Sequence, residues 1–110
     1  MEYLTFTNLA QFRKLLRKGQ QIETIYHKEF AGRHEDGSGR PVWKDKHLGI
    51  RTVSIVQSNS FAIQTAKIDG SLFDSWCQYP KASEVKIIDN SKLEIYEQDG
   101  SKVLTYSFPK

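Results

Sequence analysis

Phe30-Ala31-Gly32-Arg33-His34-Glu35-Asp36-Gly37-Ser38-Gly39-Arg40-Pro41-Val42-Trp43-Lys44-Asp45-Lys46-His47 is the stretch on which the fold turns. Three glycines and a proline interrupt it, and neither the period of a helix nor that of a strand runs through it. It reads as a long loop of about 17 residues between two strands, a length that is usually functional when it occurs inside a compact unit. Before it, Gln21-Ile22-Glu23-Thr24-Ile25-Tyr26-His27 alternates with period two and predicts a strand. After it, Ile50 to Gln57 predicts a second, with Arg51, Val53 and Ile55 on one face and Thr52, Ser54 and Val56 on the other.

Upstream, the period is 3.6. Leu9, Phe12 and Leu16 share one stripe of a helix predicted from about Leu9 to Lys18, with Leu15 at its margin. Asn8 with Gln11 makes a capping-box pattern, and Gly19 is placed to end the helix. Arg13, Lys14, Arg17 and Lys18 occupy the outer side. Downstream, Ser58-Asn59-Ser60 is a turn and Phe61 to Lys67 a returning strand. Ser71 to Tyr79 fits a helical turn nearly as well as a strand, and Lys81 to Glu84 reads as a short turn. Val85 to Ile88, Lys92 to Glu97 and Val103 to Phe108 predict three more strands, the last two joined at Gln98-Asp99-Gly100-Ser101. The fold class expected is α+β: one N-terminal amphipathic helix packed on a mostly antiparallel sheet of five to seven strands, with residues 1–110 as a single domain. The core expected from these periods is Leu9, Phe12, Leu16, Val53, Ile55, Phe61, Ile63, Leu93, Ile95 and Leu104.

Composition narrows the functional classes. A chain of 110 residues can bury about two-thirds of its unfolded surface, so neither disulfide nor metal is needed to stabilise it. The single cysteine, Cys77, cannot form an internal disulfide. No signal peptide is read in Met1-Glu2-Tyr3-Leu4-Thr5-Phe6, and no apolar run reaches the roughly 18–20 residues of a membrane span. A cytoplasmic, non-membrane protein is expected. All five arginines and all three histidines fall within the first 51 residues. Residues 1–50 hold nine Lys/Arg against six Asp/Glu, and the remainder holds seven against seven, so the +3 net charge belongs to the first half.

Catalytic and metal chemistry find little support. His27, His34 and His47 with Glu35, Asp36 and Asp45 are suitable ligand types, but their spacing matches no metal site, and neither metal nor cofactor is expected. His34-Glu35-Asp36 among Arg33, Arg40 and Lys44 suggests a nuclease, yet a loop containing Gly32, Gly37 and Gly39 is too pliable to fix a metal pair. Gly37-Ser38-Gly39 lacks the context of a phosphate-binding loop. Cys77, between Trp76 and Gln78, reads as a buried, inert thiol. The chain is not expected to be an enzyme.

Binding is the remaining class. Arg and Trp are enriched among interface hot spots, and the partner-binding residues expected are Arg13, Arg17, Arg33, Arg40, Trp43 and Lys44, forming one continuous patch of helix and loop. The same residues define the alternative, a small nucleic-acid-binding protein that uses the basic helix for phosphates and Trp43 for stacking.

Phe73-Asp74-Ser75-Trp76-Cys77-Gln78-Tyr79-Pro80-Lys81-Ala82-Ser83-Glu84, with Leu93-Glu94-Ile95-Tyr96-Glu97 and Val103-Leu104-Thr105-Tyr106, resembles small open reading frames of phages and plasmids in Gram-positive bacteria. The likeness covers about a third of the chain, and no residue role carries over. It implies a compact mobile-element inhibitor that binds and blocks a host protein or nucleoprotein, such as a restriction or CRISPR–Cas effector (an anti-CRISPR protein). Inhibitors that mimic DNA are strongly acidic, whereas this chain is basic. The resemblance therefore implies contact with an acidic patch or with the nucleic acid held by the target, for a Cas effector by competing for guide RNA.

Overall fold

The computed structural model describes residues 2–110. It is mostly β: seven antiparallel strands and one short helix, not the α+β fold expected. In chain order these are α1 (Leu9–Leu15), β1 (Gln21–Arg33), β2 (Pro41–Val56), β3 (Ser60–Ala66), β4 (Leu72–Gln78), β5 (Val85–Ile88), β6 (Lys92–Tyr96) and β7 (Lys102–Ser107). A single turn of 3-10 helix, Ala82–Glu84, precedes β5. The sheet order is β4-β3-β2-β1-β7-β6-β5. Two meanders, β1 to β4 and β5 to β7, are thus joined where β1 pairs with β7, Glu23 to Tyr26 against Ser107 to Leu104. No helix among the described residues is long and apolar enough to cross a membrane.

The main correction concerns the stretch read as a loop. Strand β1 continues to Arg33 and β2 begins at Pro41, with Phe30 opposite Trp43 and Arg33 opposite Pro41, so only residues 34–40 form a turn. Three register shifts, at Thr24/Ile25, Tyr26/Glu29 and Phe30/Arg33, explain why the sequence hides this. Each bulge adds a residue to one strand and breaks the two-residue period by which strands are recognised. Gly49 and Gly32 lie at two of these irregularities with φ of 75° and 112°, a backbone region that a side chain would strain.

Helix α1 is also shorter than expected, ending at Leu15. Its start follows the pattern: Asn8 Oδ1 accepts from Gln11 N at 2.8 Å, while the Gln11 side chain accepts from Thr7 N at 2.7 Å. Its end is set by the sheet. Gly19 N donates to Val53 O and Val53 N to Gln20 O, both at 2.8 Å, which draws residues 16–20 out of helical geometry and onto β2.

The core is aromatic. Phe12 is wholly buried and lies 5.3 Å from Phe6, 5.1 Å from Phe108 and 6.1 Å from Tyr106, centroid to centroid. Leu16, Val53, Phe61, Ile63 and Leu93 are buried as expected, and Leu9, Ile95 and Leu104 pack against them partly buried. Ile55 is outside this core because the bulge between Val53 and Ile55 pairs it with Ala62, out of phase with Val53 and Ile63. Phe6 and Phe108 join through the chain ends: Leu4 N donates to Phe108 O, and Tyr3 bridges Pro109.

Three hairpins close on Asp-Gly-Ser, at Asp36, Asp69 and Asp99. In each, the Asp carboxylate accepts from the serine N–H two residues on at 2.9 Å. These bonds hold all three carboxyls below the ordinary range. A depressed folded value means that folding favours the ionised form, so the stabilisation is complete above the unfolded value near pH 4 and is lost as pH falls through the folded values. The melting temperature should decline on acidification below about pH 4, and Asp69→Ala with Asp99→Ala should flatten that decline. Phe12→Ala should lower unfolding free energy by roughly 3–5 kcal/mol in a urea titration, since it removes the ring that the other core aromatics contact.

Candidate functional site

Past its base, the β1–β2 hairpin has no other strand beside it. Pairing of β1 with β7 stops at Tyr26, and β2 meets β3 only from Val53 onward. Residues 29–44 therefore form a two-stranded ribbon that extends from the sheet as an arm. Phe30 and Trp43 face each other across it, 6.1 Å apart and edge-to-face, and they remain 54% and 45% exposed. An isolated two-stranded hairpin buries too little to hide such rings, so their exposure follows from the topology. Lys28 Nζ stands 5.2 Å from the Trp43 ring and the Arg33 guanidinium 5.7 Å from Phe30. A cation thus flanks each aromatic.

The arm is clamped at its root. At the second register shift His27 and Lys28 together lie opposite Asp45, between the pairs Tyr26–Lys46 and Glu29–Lys44. His27 Nδ1 is 2.7 Å from Asp45 Oδ1, and Nε2 is 2.7 Å from Thr105 Oγ1, so one imidazole ties β1 to β2 and β7. The His27 contact holds the Asp45 carboxyl below the usual range. Lys28 reaches Glu97 at 3.8 Å. By residue type His27 and Asp45 are potential metal ligands; in the fold they are a clasp. Among the described residues no group of His, Cys, Asp and Glu is arranged to hold a metal ion.

Charge on the arm is largely internal. Residues 27–47 carry five Lys/Arg and four Asp/Glu. Arg40 pairs with Asp36 at 3.6 Å, Lys46 with Glu29 at 3.8 Å, and Arg33 Nη1 donates to Gly39 O at 2.6 Å. Lys44 has no ion pair among the described residues.

The expected partner-binding residues separate into two groups. Arg33, Arg40, Trp43 and Lys44 are together on the arm. Arg13 is at the other end of β2, where Nη2 donates to Ser58 O at 3.1 Å and the guanidinium lies 4.1 Å from the centre of the Tyr79 ring. Arg17, two residues past the end of the helix, donates from Nε to Lys14 O. Trp43 and Val56 are separated by most of a 16-residue strand, about 40 Å at 3.3 Å per residue if it were straight. Helix and arm do not make one continuous patch. Phe30, which in sequence is only one more residue of an apparent loop, belongs with Trp43; the two rings become partners only once the register is known.

Cys77 lies on β4 opposite Phe61. Burial pushes its thiol above the ordinary value, with Arg51 acting in the opposite sense. That environment keeps the thiol protonated, and its labelling by a thiol reagent under native conditions should be many-fold slower than after denaturation.

No protein-family model, no curated protein and no solved structure matches this chain.

Proposed function

We propose that this chain is a non-enzymatic interaction protein that docks on a partner protein through the β1–β2 arm, with Phe30 and Trp43 as the buried anchors of the interface. The observation that carries this reading is a pair of large aromatic side chains held about half exposed on a ribbon with no neighbour, its root clamped by the His27 clasp. Trp is among the residue types that dominate interface energies, and strands that are already paired with each other have less order to gain on binding than an unpaired loop. The arm cations frame the rings: Arg33, Arg40 and Lys44 would form a polar rim, and a partner surface with acidic groups around an apolar pocket fits that pattern.

The charge arrangement favours a protein over a nucleic acid. Phosphate binding relies on cations free to replace counterions, whereas Arg40, Lys46 and Lys28 are each within reach of a carboxylate of this chain. The resemblance to mobile-element proteins extends the proposal to an inhibitor, acting in the cytoplasm, that blocks a host protein or nucleoprotein such as a CRISPR–Cas effector. The arm would then act by occupying the effector's surface.

The test is capture of partners from a bacterial lysate with immobilised protein, with and without nuclease, followed by affinity measurement against the captured protein. Trp43→Ala and Phe30→Ala should each weaken binding at least tenfold while leaving the melting temperature within a few degrees of the parent. Raising salt from 50 to 200 mM should weaken binding by about tenfold or less, against roughly 10³-fold or more for six or more phosphate contacts. Capture abolished by nuclease, with a steep salt dependence, would replace this reading by the nucleic-acid-binding one.

A further inference from the structure

The sheet ends at β4 on one side and β5 on the other, and the two edges differ. Strand β5 has four residues, Val85–Ile88, with Lys86 among them, and a short, charged edge resists further pairing. The free sides of the arm are broken by bulges and carry charges of both signs. Strand β4 has none of these protections. Its seven residues, Leu72–Gln78, pair with β3 from Ala66–Leu72 to Ser60–Gln78 without a register shift, and they include no proline and no lysine. Asp74 is the one charged residue on it, and its Oδ1 accepts from Ser54 Oγ of β2 at 2.8 Å, which draws the carboxylate inward over the sheet. Leu72, Phe73 and Trp76 stand exposed along this edge.

The backbone of β4 is open in a definite pattern. Lys67 N donates to Ser71 O at 2.8 Å where the β3–β4 hairpin closes. Antiparallel ladders alternate bonded with non-bonded pairs, so Phe73, Ser75 and Cys77 turn their N–H and C=O groups toward β3. Leu72, Asp74, Trp76 and Gln78 turn theirs outward, and no turn or loop bond of the described residues reaches them. Two copies of β4 running antiparallel are related by a twofold axis, and their outward residues must meet one another. An axis at Ser75 engages all four: Leu72 meets Gln78 of the second copy and Asp74 meets Trp76, each pair exchanging two bonds. An axis at Asp74 leaves Gln78 out and sets two carboxylates face to face, which is destabilising, and an axis at Trp76 leaves Leu72 out. With the axis at Ser75, the indole N–H of Trp76 is a donor beside the Asp74 carboxylate of the second copy. Along the chain the same register sets Asp69 level with Lys81 of the second copy, and neither has an ion pair among the described residues.

We propose that β4 is a self-association edge, through which two copies of this chain pair antiparallel about a twofold axis at Ser75 to make one continuous sheet. A second copy is the occupant that uses every outward group of the strand and brings no like charges together. Edge pairing alone buries less than the roughly 1,200 Å² of stable interfaces, so the dimer should be reversible, with a Kd on the order of 10–100 µM.

Sedimentation equilibrium of the full chain reads the association, and an introduced cysteine reads the register. The wild type should pass from monomer to dimer between about 1 and 500 µM. Trp76→Pro removes an outward N–H and no bond to β3, so it should fold and dimerise at least about tenfold more weakly. Trp43→Ala should dimerise as the wild type does, which separates this edge from the arm. Ser75→Cys with Cys77→Ser should cross-link into a disulfide-bonded dimer on mild oxidation, because non-bonded pairs bring Cα atoms to roughly 4.5 Å, within disulfide reach. Gln78→Cys in the same background lies far from the axis and should cross-link much more slowly. A wild type monomeric to about 500 µM would overturn the proposal and leave the edge to a strand of another protein. An undiminished dimer in Trp76→Pro, a dimer lost in Trp43→Ala, or equal cross-linking at 75 and 78 would overturn it as well. The cross-linking pair decides the matter even if Trp76→Pro fails to fold.

Discussion

Everything in this molecule hangs on the ladder between β1 and β7. Four residue pairs, from Glu23–Ser107 to Tyr26–Leu104, unite two meanders that would otherwise be separate small sheets. These pairs join residues some eighty positions apart in sequence, so their loop-closure entropy must be met before the reward of packing arrives. The aromatic cluster provides that reward at the same place. Phe12 from the helix and Phe6 from the N-terminal segment converge on Tyr106 and Phe108, at and just beyond the end of the strand that makes the junction. A helix of seven residues would not persist alone in water; its apolar side is held by this cluster and its end by Val53.

The same junction creates the arm. Because β7 accompanies β1 for four pairs only, and β3 accompanies β2 only at its far end, the outer parts of β1 and β2 have each other and nothing else. The bulge carrying His27 and Lys28 opposite Asp45 marks the transition from sheet to ribbon. There the histidine bridges three strands, which stiffens the root without adding apolar mass. Aromatics on such a ribbon cannot be core, whatever their hydrophobicity. Their exposure is imposed by connectivity, and it leaves Phe30 and Trp43 as the exposed pair on which the proposed docking rests.

Arg51 and the arm illustrate opposite ways of managing charge. On the arm, cations and carboxylates meet in water, where such pairs are worth little and mainly set the local field. Within the body of the sheet the half-buried Arg51 guanidinium donates to the Thr65 hydroxyl and, among the described residues, pairs with no carboxylate. The first arrangement suits a surface that must stay soluble around exposed rings.

Local residue order was enough to reveal the helix cap at Asn8, the six strands whose period of two was unbroken or nearly so, and most of the buried apolar set from Phe12 to Leu93. These features depend on neighbours within a few positions, so periodicity reports them. It also marked Trp43, Arg33 and Arg40 as belonging to one region. It did not show that this region is strand, because three bulges and two positive-φ glycines interrupt the alternation that signals one. Nor did it pair Phe30 with Trp43, draw Phe6 and Phe108 into the core, move Arg13 to the far end of β2, or leave Arg51 without a counter-charge. Each of those depends on the register between strands distant in sequence, which the chain acquires only when its backbone hydrogen bonds close. Sequence alone determined which segments could be helix or sheet and which residues prefer the interior; tertiary pairing decided which of them face one another, and with that where the exposed aromatics and the unpaired cation lie.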